Sequence, residues 1–291
     1  IMSNSLTKES YYEGLTSYPA ARCVRILNPL SADLNVMRQT LLFNTMEAVQ
    51  LNANRRNGNL RLYEFGNCYF YDEAARDAEK PLSSYSEQYR LAIAVTGAAV
   101  PQSWNAKPQA SSFFTLRAVA EKLLRRFGLD IYALKCEPLQ SDLFGDGISL
   151  SAGNGRELLQ MGVVAPRIRR AFDLKQEVYY LEMNFDALVK STRKHRIAFE
   201  ELSKFPEVKR DLALLVDRQV TFAQLRAIAL ATERKLLKSV SLFDVYEGDK
   251  LPEGKKSYAL SFILEDKTRT LDEKAIERAM QNLTAQFERQ C

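Results

Sequence analysis

The chain has 291 residues, of which 46% are hydrophobic and 26% charged, and its formal net charge is +5. These proportions are ordinary for a soluble globular protein, and the length favours two domains over one. No apolar run approaches the roughly 18 residues needed to span a bilayer, and the start lacks the pattern of a secretion signal, so we expect a soluble cytoplasmic protein.

Four cysteines, Cys23, Cys68, Cys136 and Cys291, lie far apart in the sequence. Their spacing suggests neither a zinc site nor a disulfide framework, so free and mostly buried thiols are expected. The positive charge is spread along the chain and not clustered. It is compatible with RNA contact without arguing for it, because a few well-placed cations suffice for phosphate contacts.

The stretch NPLSADLNVMRQTLL predicts a helix start near the beginning of the chain. Asn28-Pro29 indicates a turn, and Ser31 can cap a following helix. The apolar residues of that helix then follow the spacing of one buried stripe: Leu34, Met37, Leu41, Leu42 and Val49. The companion string LRLYEFGNCYFY predicts a strand over Leu60–Tyr71 that is buried on both faces.

The rest of the first half predicts an antiparallel sheet decorated by helices. A polar loop is expected from Asp72 to Glu87, and a helix is expected from Ser111 or Ser112 to Gly128. GDGISLSAGNG has the glycines of a phosphate loop but no lysine, so hairpin turns are favoured. The further predicted strands are YRLAIAVTG, LLQMGVVA and EVYYLEMNF, and PRIRRAFDL is a short predicted helix.

A basic connector, Lys190–Arg196, contains the sole histidine, His195. RNA phosphate contact is one interpretation, and a solvated linker between domains is favoured over it. With one histidine and no paired ligand spacing, the sequence offers no obvious metal or nucleophile site.

From about Ser203 the sequence predicts the element order β-α-β-β-α. RDLALLVD is a strand, Thr221 and Gln224 form a capping box, and SVSLFDVYEG and KKSYALSFILED form a hairpin. Thr270 and Glu273 offer a second capping box for a last helix. The apolar stripe of that helix comprises Ile276, Met280, Leu283 and Phe287. This order is typical of a ferredoxin-like split βαβ fold whose final edge strand would lie just beyond Cys291.

The segments NPLSADLNVMRQTLL and LRLYEFGNCYFY resemble the first two class-defining motifs of class II aminoacyl-tRNA synthetases. Their sequences are most similar to the β subunit of bacterial phenylalanyl-tRNA synthetases. Further strings extend the resemblance almost end to end: YYEGLTSYP, SSFFTLRAVAEKLL, MGVVAPRIRRAFDLKQEVYYLEMNFDAL, KFPEVKRDLALLVD, LLKSVSLFDVYEG and GKKSYALSFILED. The resemblance implies an α+β chain from the carboxy-terminal part of a longer subunit. Residues 1–196 would be a class II synthetase-like, non-catalytic core domain, and residues 203–291 a ferredoxin-fold anticodon-binding domain with its last strand absent.

The resemblance also implies where the chemistry lies. Class II synthetases hold the ATP phosphate with an arginine just after the second-motif strand and the nucleotide with another arginine in a glycine-rich third motif. Here Glu64-Phe65-Gly66-Asn67 stands where an arginine followed by glutamate would be expected, and no glycine-rich arginine motif follows. This part alone is therefore expected to be inactive and to bind no cofactor, while an α subunit in an α2β2 heterotetramer would use ATP and magnesium to join phenylalanine to its tRNA. The family often has a histidine before proline where this chain has Ala165 before Pro166, so a packing turn is expected there.

Anticodon contact is expected in the second domain. Asp244 and Tyr246 are two apart in a strand and share a face, where Tyr could stack a base and Asp could accept a hydrogen bond from one. Ser257 and Ala213 match family positions that lie against the anticodon. Arg210 is a candidate phosphate contact or, alternatively, an ion-pair partner of its neighbour Asp211. The alternative for Asp244 and Tyr246 is that they only form a strand edge with ordinary hydrogen bonds and do not contact RNA.

The subunit interface is expected on the first predicted helix, through Met37, Arg38, Leu41 and Leu42, with complete burial inside the domain as the alternative. Two other functions stay open at this point. One is a stand-alone class II-like ligase with a degenerate site, and the other is a protein-interaction scaffold that binds no RNA.

Overall fold

A computed structural model describes residues 1–193, 195–196, 198–199 and 201–291. The chain divides into two compact units, Ile1–Ile197 and Ala198–Cys291. The elements of the first unit are β1 (Leu6–Thr7), β2 (Val24–Arg25), β3 (Val36–Met37), α1 (Leu42–Asn54), β4 (Leu60–Tyr71), β5 (Tyr85–Thr96), β6 (Ala98–Val100), β7 (Gln109–Ala110), α2 (Phe113–Arg126), β8 (Lys135–Pro138), β9 (Phe144–Ser151), β10 (Glu157–Val164), α3 (Pro166–Ala171), β11 (Val178–Asn184) and α4 (Phe185–Thr192).

A six-stranded antiparallel sheet, in the order β4-β5-β11-β10-β9-β8, forms the centre of the first unit. Side chains of α1 pack with Ala92 and Ala94 of β5 in one core, and side chains of α2 and α4 pack with Leu91 and Val95 in another. Because neighbouring residues of a strand point to opposite faces, both faces of β5 are covered. The predicted antiparallel sheet with flanking helices is confirmed.

The predicted burial of β4 on both faces is wrong. This strand lies at the edge of the sheet, and its burial alternates: Cys68 is buried, whereas Tyr63 and Phe65 are 62% and 41% exposed. β5 begins at Tyr85, opposite Tyr71, so its first three residues lie within the predicted polar loop.

The predicted helix start at Ser31 is wrong as well. The Ser31 hydroxyl accepts a hydrogen bond from the Asp33 amide at 3.1 Å, but it caps only a short 3-10 turn. β3 then pairs with β1 and β2, which holds the chain extended before α1 begins at Leu42. Apolar spacing alone could not reveal this pairing, because the β3 residues also fit a helical stripe.

Several local predictions are confirmed in the first unit. Ser112 forms a capping box with Thr115 at the start of α2, and Gly128 ends this helical segment at φ 78°. β9 and β10 form the predicted hairpin, in which the Ala152 amide bonds to the Arg156 carbonyl at 2.8 Å. Ala165 is buried at the turn into α3, as expected of a packing position.

The second unit contains β12 (Val208–Asp217), α5 (Phe222–Thr232), β13 (Leu237–Tyr246), β14 (Lys255–Leu264) and α6 (Glu273–Gln290). Its antiparallel sheet has the order β12-β14-β13, so the predicted β-α-β-β-α pattern is confirmed. The Thr221–Gln224 capping box is present. The predicted box at Thr270 and Glu273 is wrong, because Asp272 caps α6 through the Ala275 amide at 2.7 Å.

Both helices of the second unit pack against one face of its sheet. Leu260 and Phe262 of β14 share a core with Leu225 of α5 and with Leu283 and Phe287 of α6. No described helix of this unit covers the opposite face, which we call the open face.

Free thiols are present at all four cysteines, of which Cys23 and Cys68 are buried and the other two exposed. In the predicted connector, the His195 amide donates to the Thr192 carbonyl at 2.9 Å, and Lys194 lies outside the described residues. Within the described ranges, no helix has the length and apolar character to cross a membrane.

Candidate nucleic-acid interface

A polar cavity of about 230 Å³ opens on the first sheet, between β5, β10 and β11. Its charged centre is an ion pair between Arg90 and Glu182. Arg90 also donates to the Tyr18 hydroxyl at 2.8 Å, and Glu182 accepts from the Thr40 hydroxyl at 2.6 Å and the Leu41 amide at 3.1 Å. The two charges are thus bonded to each other and to protein groups, which leaves them poorly suited to hold a charged substrate.

The strand segment at which the resemblance implies a missing arginine is also closed by an ion pair. Arg38 reaches it from outside the strand and pairs with Glu64 at 2.9 Å, with the two side chains 3% and 1% exposed. Gly66 makes room for this arginine, because a Cβ atom there would lie 2.0 Å from Arg38 Nη2. The segment is a packed structural ion pair, and its residues do not fit the phosphates of ATP. Elsewhere in the described part of the chain, no group of three or more His, Cys, Asp or Glu side chains could hold a metal ion.

The residues predicted for the subunit interface lie mostly inside the first unit. Arg38, Leu41 and Leu42 are 3%, 0% and 0% exposed, and Met37 is half-buried. The prediction of an exposed apolar face at this segment is therefore wrong. The alternative, burial within the domain, is correct for Arg38, Leu41 and Leu42. Leu41 and Leu42 are buried because they stand at the start of α1 and join the hydrophobic core of the first unit, and Arg38 is buried against Glu64.

The open face of the second sheet brings together four of the five predicted anticodon residues. In one row across the strands, Ala213 and Asp244 both lie opposite Ala259. In the next row, Tyr246 lies opposite Ser257. Residues that pair directly across antiparallel strands project to the same face, so all four predicted side chains share one surface.

This surface has the components of a single-stranded RNA site. Tyr246 is 43% exposed and presents a ring on which a base can stack, while the exposed Asp244 carboxylate accepts hydrogen bonds only. The two alanines of the row form a low floor between the strands. A base lying over them would meet the carboxylate on one side and the Ser257 hydroxyl in the neighbouring row.

Arg210 does not belong to this surface. It pairs with Phe262, a core residue, and its guanidinium donates to Glu273 of α6 at 2.8 Å on the helix side of the sheet. Asp211 instead lies 3.7 Å from Lys209. The predicted ion pair of Arg210 with Asp211 is therefore wrong, because strand alternation turns the arginine away from its acidic neighbour and from the open face. The phosphate contact of Arg210 stays a prediction.

Sequence reasoning missed two features of the open face. Phe243 sits at a β-bulge, is 58% exposed and lies under the ammonium of Lys209, which is 5.7 Å from the ring centroid. Gly248 packs against Tyr246, since a Cβ atom there would lie 2.2 Å from the tyrosine hydroxyl. The glycine could have been predicted from its position two residues after Tyr246, whereas no sequence pattern marks the bulge.

Cations on the open face are partly neutralised by neighbouring carboxylates. Lys255 lies 2.7 Å from Asp217, and Lys209 lies 3.7 Å from Asp211. These exposed pairs contribute little to stability. The open face therefore carries both positive and negative side chains, which agrees with the modest net charge of the chain.

Comparisons with known proteins cover both units. The family model described as "Phenylalanyl tRNA synthetase beta chain CLM domain" matches residues 1–185, and "Ferredoxin-fold anticodon binding domain" matches residues 203–291. Proteins named phenylalanine–tRNA ligase beta subunit are similar over 99% of this chain, with 47% identity in Bacteroides fragilis, 48% in Bacteroides thetaiotaomicron and 42% in Porphyromonas gingivalis. The chain spans 35% of the length of each of these relatives.

A solved pyrrolysyl-tRNA synthetase from Desulfitobacterium hafniense aligns with 65% of this chain and 60% of its own, at a TM-score of 0.47 and 15% identity. That likeness is too weak to carry an argument about the site.

Proposed function

Because the chain belongs to the phenylalanyl-tRNA synthetase β-chain family, we propose that it is part of the β subunit of phenylalanine–tRNA ligase. In this proposal the second unit binds the anticodon of phenylalanine tRNA, and the first unit is a non-catalytic scaffold for the α subunit. The whole enzyme, an α2β2 assembly in the cytoplasm, would use ATP and magnesium to join phenylalanine to the tRNA.

The observation that carries the anticodon assignment is the shared surface of Ala213, Asp244, Tyr246 and Ser257 on adjacent rows of an uncovered sheet face. Anticodon bases are single-stranded, so they can stack on an aromatic ring and be read at their edges by polar groups. The match of residues 203–291 to an anticodon-binding family supports the same assignment.

The scaffold assignment is supported by the two closed ion pairs of the first unit. Arg38 and Arg90 are both bonded to largely buried carboxylates, so neither is free to balance charge on a phosphate during transfer. We therefore assign the chemistry to the α subunit.

The proposal is tested in the full-length β subunit assembled with its α subunit, carrying Asp244→Ala or Tyr246→Ala. We expect tRNA binding to weaken about fivefold to a hundredfold for Tyr246→Ala, the range that corresponds to the loss of one stacked base. Pyrophosphate exchange dependent on phenylalanine and ATP should stay unchanged, because that step does not involve the anticodon. Tyr85→Ala is the matched control, since this tyrosine is 48% exposed in the first unit.

Unchanged tRNA affinity and aminoacylation in both variants would refute the anticodon role and favour a protein-interaction scaffold. Pyrophosphate exchange by this chain without a partner would instead indicate a stand-alone ligase.

A further inference from the structure

We propose that Phe243 and Lys209 form a second nucleotide subsite on the open face, beside Asp244 and Tyr246. In this subsite a base stacks on the Phe243 ring and its phosphate contacts the Lys209 ammonium. The inference rests on the proposed anticodon role of this face and extends the RNA site by one nucleotide.

The bulge in β13 is the structural basis of the subsite. Pairing passes from Leu242 opposite Leu260 directly to Asp244 opposite Ala259, so Phe243 has no partner on β14. A bulge inserts one residue and shifts the alternation after it. Leu242 packs toward the helices, and both Phe243 and Asp244 then project to the open face. A regular strand could not place these two neighbours on one surface.

The ring of Phe243 is available for stacking. It is 58% exposed, although it is a large apolar side chain on a strand with a buried face. An exposed aromatic ring loses little by accepting a base, and every base has a π face that can stack on it.

Lys209 contacts this ring from the strand at the opposite edge of the sheet, on the same open face. Lys209 is on β12 and Phe243 is on β13, so the 5.7 Å contact between the ammonium and the ring centroid spans the middle strand β14. The Lys209 side chain is exposed, and its ammonium lies 3.7 Å from Asp211, a contact of the kind that a phosphate can replace.

Ser261 of β14 lies between these two side chains in the register of the open face. It is opposite Asp211 on β12 and Ser241 on β13. It is only 4% exposed, and its hydroxyl has no hydrogen-bond partner in the part of the chain that the structure describes. Buried hydroxyl groups are normally bonded, so this atom favours a ligand that supplies the missing partner.

The spacing indicates two separate bases. Phe243 and Tyr246 are three residues apart, about 7–10 Å along the strand after allowance for the bulge. That separation is at least twice the 3.4 Å step between stacked bases, so each ring has room for a base of its own on the open face. Stacking tolerates any base, whereas the Asp244 carboxylate reads a base edge. Phe243 therefore supplies affinity and Asp244 supplies specificity.

The test uses the full-length β subunit assembled with the α subunit, and phenylalanine tRNA with the natural or a substituted anticodon. Phe243→Ala and Phe243→Leu should raise the Kd for tRNA about fivefold to a hundredfold, by the same factor for each anticodon. Phe243→Tyr should retain wild-type affinity because it keeps a flat ring. Asp244→Ala should weaken binding of the natural anticodon and leave that of the substituted ones nearly unchanged.

Lys209→Gln should reduce the slope of log Kd against log salt concentration by about 0.7, the value for one lost phosphate contact on a single strand. Phe114→Ala, at a ring that is 71% exposed in the first unit, and Lys122→Gln are the matched controls and should change neither quantity. The Leu and Tyr variants at position 243 decide the question even if the Ala variant fails to fold.

The inference and the proposed function fail in different ways. Wild-type affinity of Phe243→Leu together with weak binding by Tyr246→Ala would overturn the second subsite alone. Wild-type affinity of Phe243→Leu, Asp244→Ala and Tyr246→Ala together would overturn the anticodon role as well. An unchanged salt slope in Lys209→Gln would refute the phosphate contact.

Discussion

Gly66→Ala should destabilise the first unit by displacing the neighbouring side chain of Arg38. The added Cβ atom would lie 2.0 Å from Arg38 Nη2 and 3.1 Å from a Leu41 methyl carbon. Arg38 cannot move aside freely, because its Nη1 donates to Glu64 at 2.9 Å and to Ser3 at 2.8 Å. Its Nε also donates to the Asn67 carbonyl at 3.0 Å. The substitution therefore separates the guanidinium from its carboxylate.

The magnitude follows from the burial of the pair. Both side chains are at most 3% exposed, and breaking a buried ion pair costs about 3–5 kcal/mol because a charge is left unpaired. Replacing glycine by alanine also restricts the unfolded chain, which offsets about 0.4–1 kcal/mol. We expect a net loss of about 2–4 kcal/mol, a large share of a typical domain stability of about 5–15 kcal/mol.

The assay is hydrogen exchange of the β4 and α1 amides, read separately from the second unit because a chain of two units need not unfold in one step. Gly153→Ala is the matched control, since a Cβ atom there meets nothing within 4 Å. Arg38→Met should also destabilise, and adding Gly66→Ala to it should cost little more, because both remove the same pair. A Gly66→Ala effect within about 1 kcal/mol of the control, or additive effects in the double variant, would refute this reasoning.

Two further predictions concern single carboxylates. Burial acts to raise the pKa of Asp142, but hydrogen bonds from Ser17 and Thr16 outweigh it and leave the pKa below its usual 3.8. The carboxylate therefore stabilises the fold above pH 3.8 and loses that effect as the pH falls through its folded pKa. Asp142→Asn should cost about 1 kcal/mol or less in urea unfolding at pH 7, and the cost should shrink steadily as the pH is lowered from 3.8. A cost that does not change with pH would contradict this. Asp272→Ala should lower the free energy of unfolding by about 1 kcal/mol because it removes the cap of α6, and Thr270→Ala should leave it unchanged. Thermal unfolding of both variants measures this. A larger loss for Thr270→Ala than for Asp272→Ala would support the capping box predicted from the sequence.

Much of the second unit was predictable from the sequence because its local patterns agree with its packing. The Thr221 cap, the strand alternation and the apolar stripe of α6 all indicate the fold that forms. The shared face of Asp244 and Tyr246 followed from the two-residue period of a strand. That inference needed no knowledge of the bulge, because the bulge precedes both residues.

Other features depend on contacts between distant parts of the chain, and local patterns do not contain them. Arg210 bonds to Glu273, 63 residues later, and so lies on the helix side of its sheet. Arg38 is buried because Glu64 and Gly66 of another element receive it. The second stacking ring, Phe243, was missed because a bulge depends on the neighbouring strand as well as on its own sequence.

The fit of Gly66 against Arg38 also restricts how the first unit can change in evolution. A descendant that acquired any side chain at position 66 would first have to lose Arg38, and losing Arg38 alone leaves Glu64 buried without its ion-pair partner. Each of these single steps lowers the stability of the first unit. Arg38, Glu64 and Gly66 thus depend on one another, so this part of the first unit can change in evolution only if several of them are substituted together.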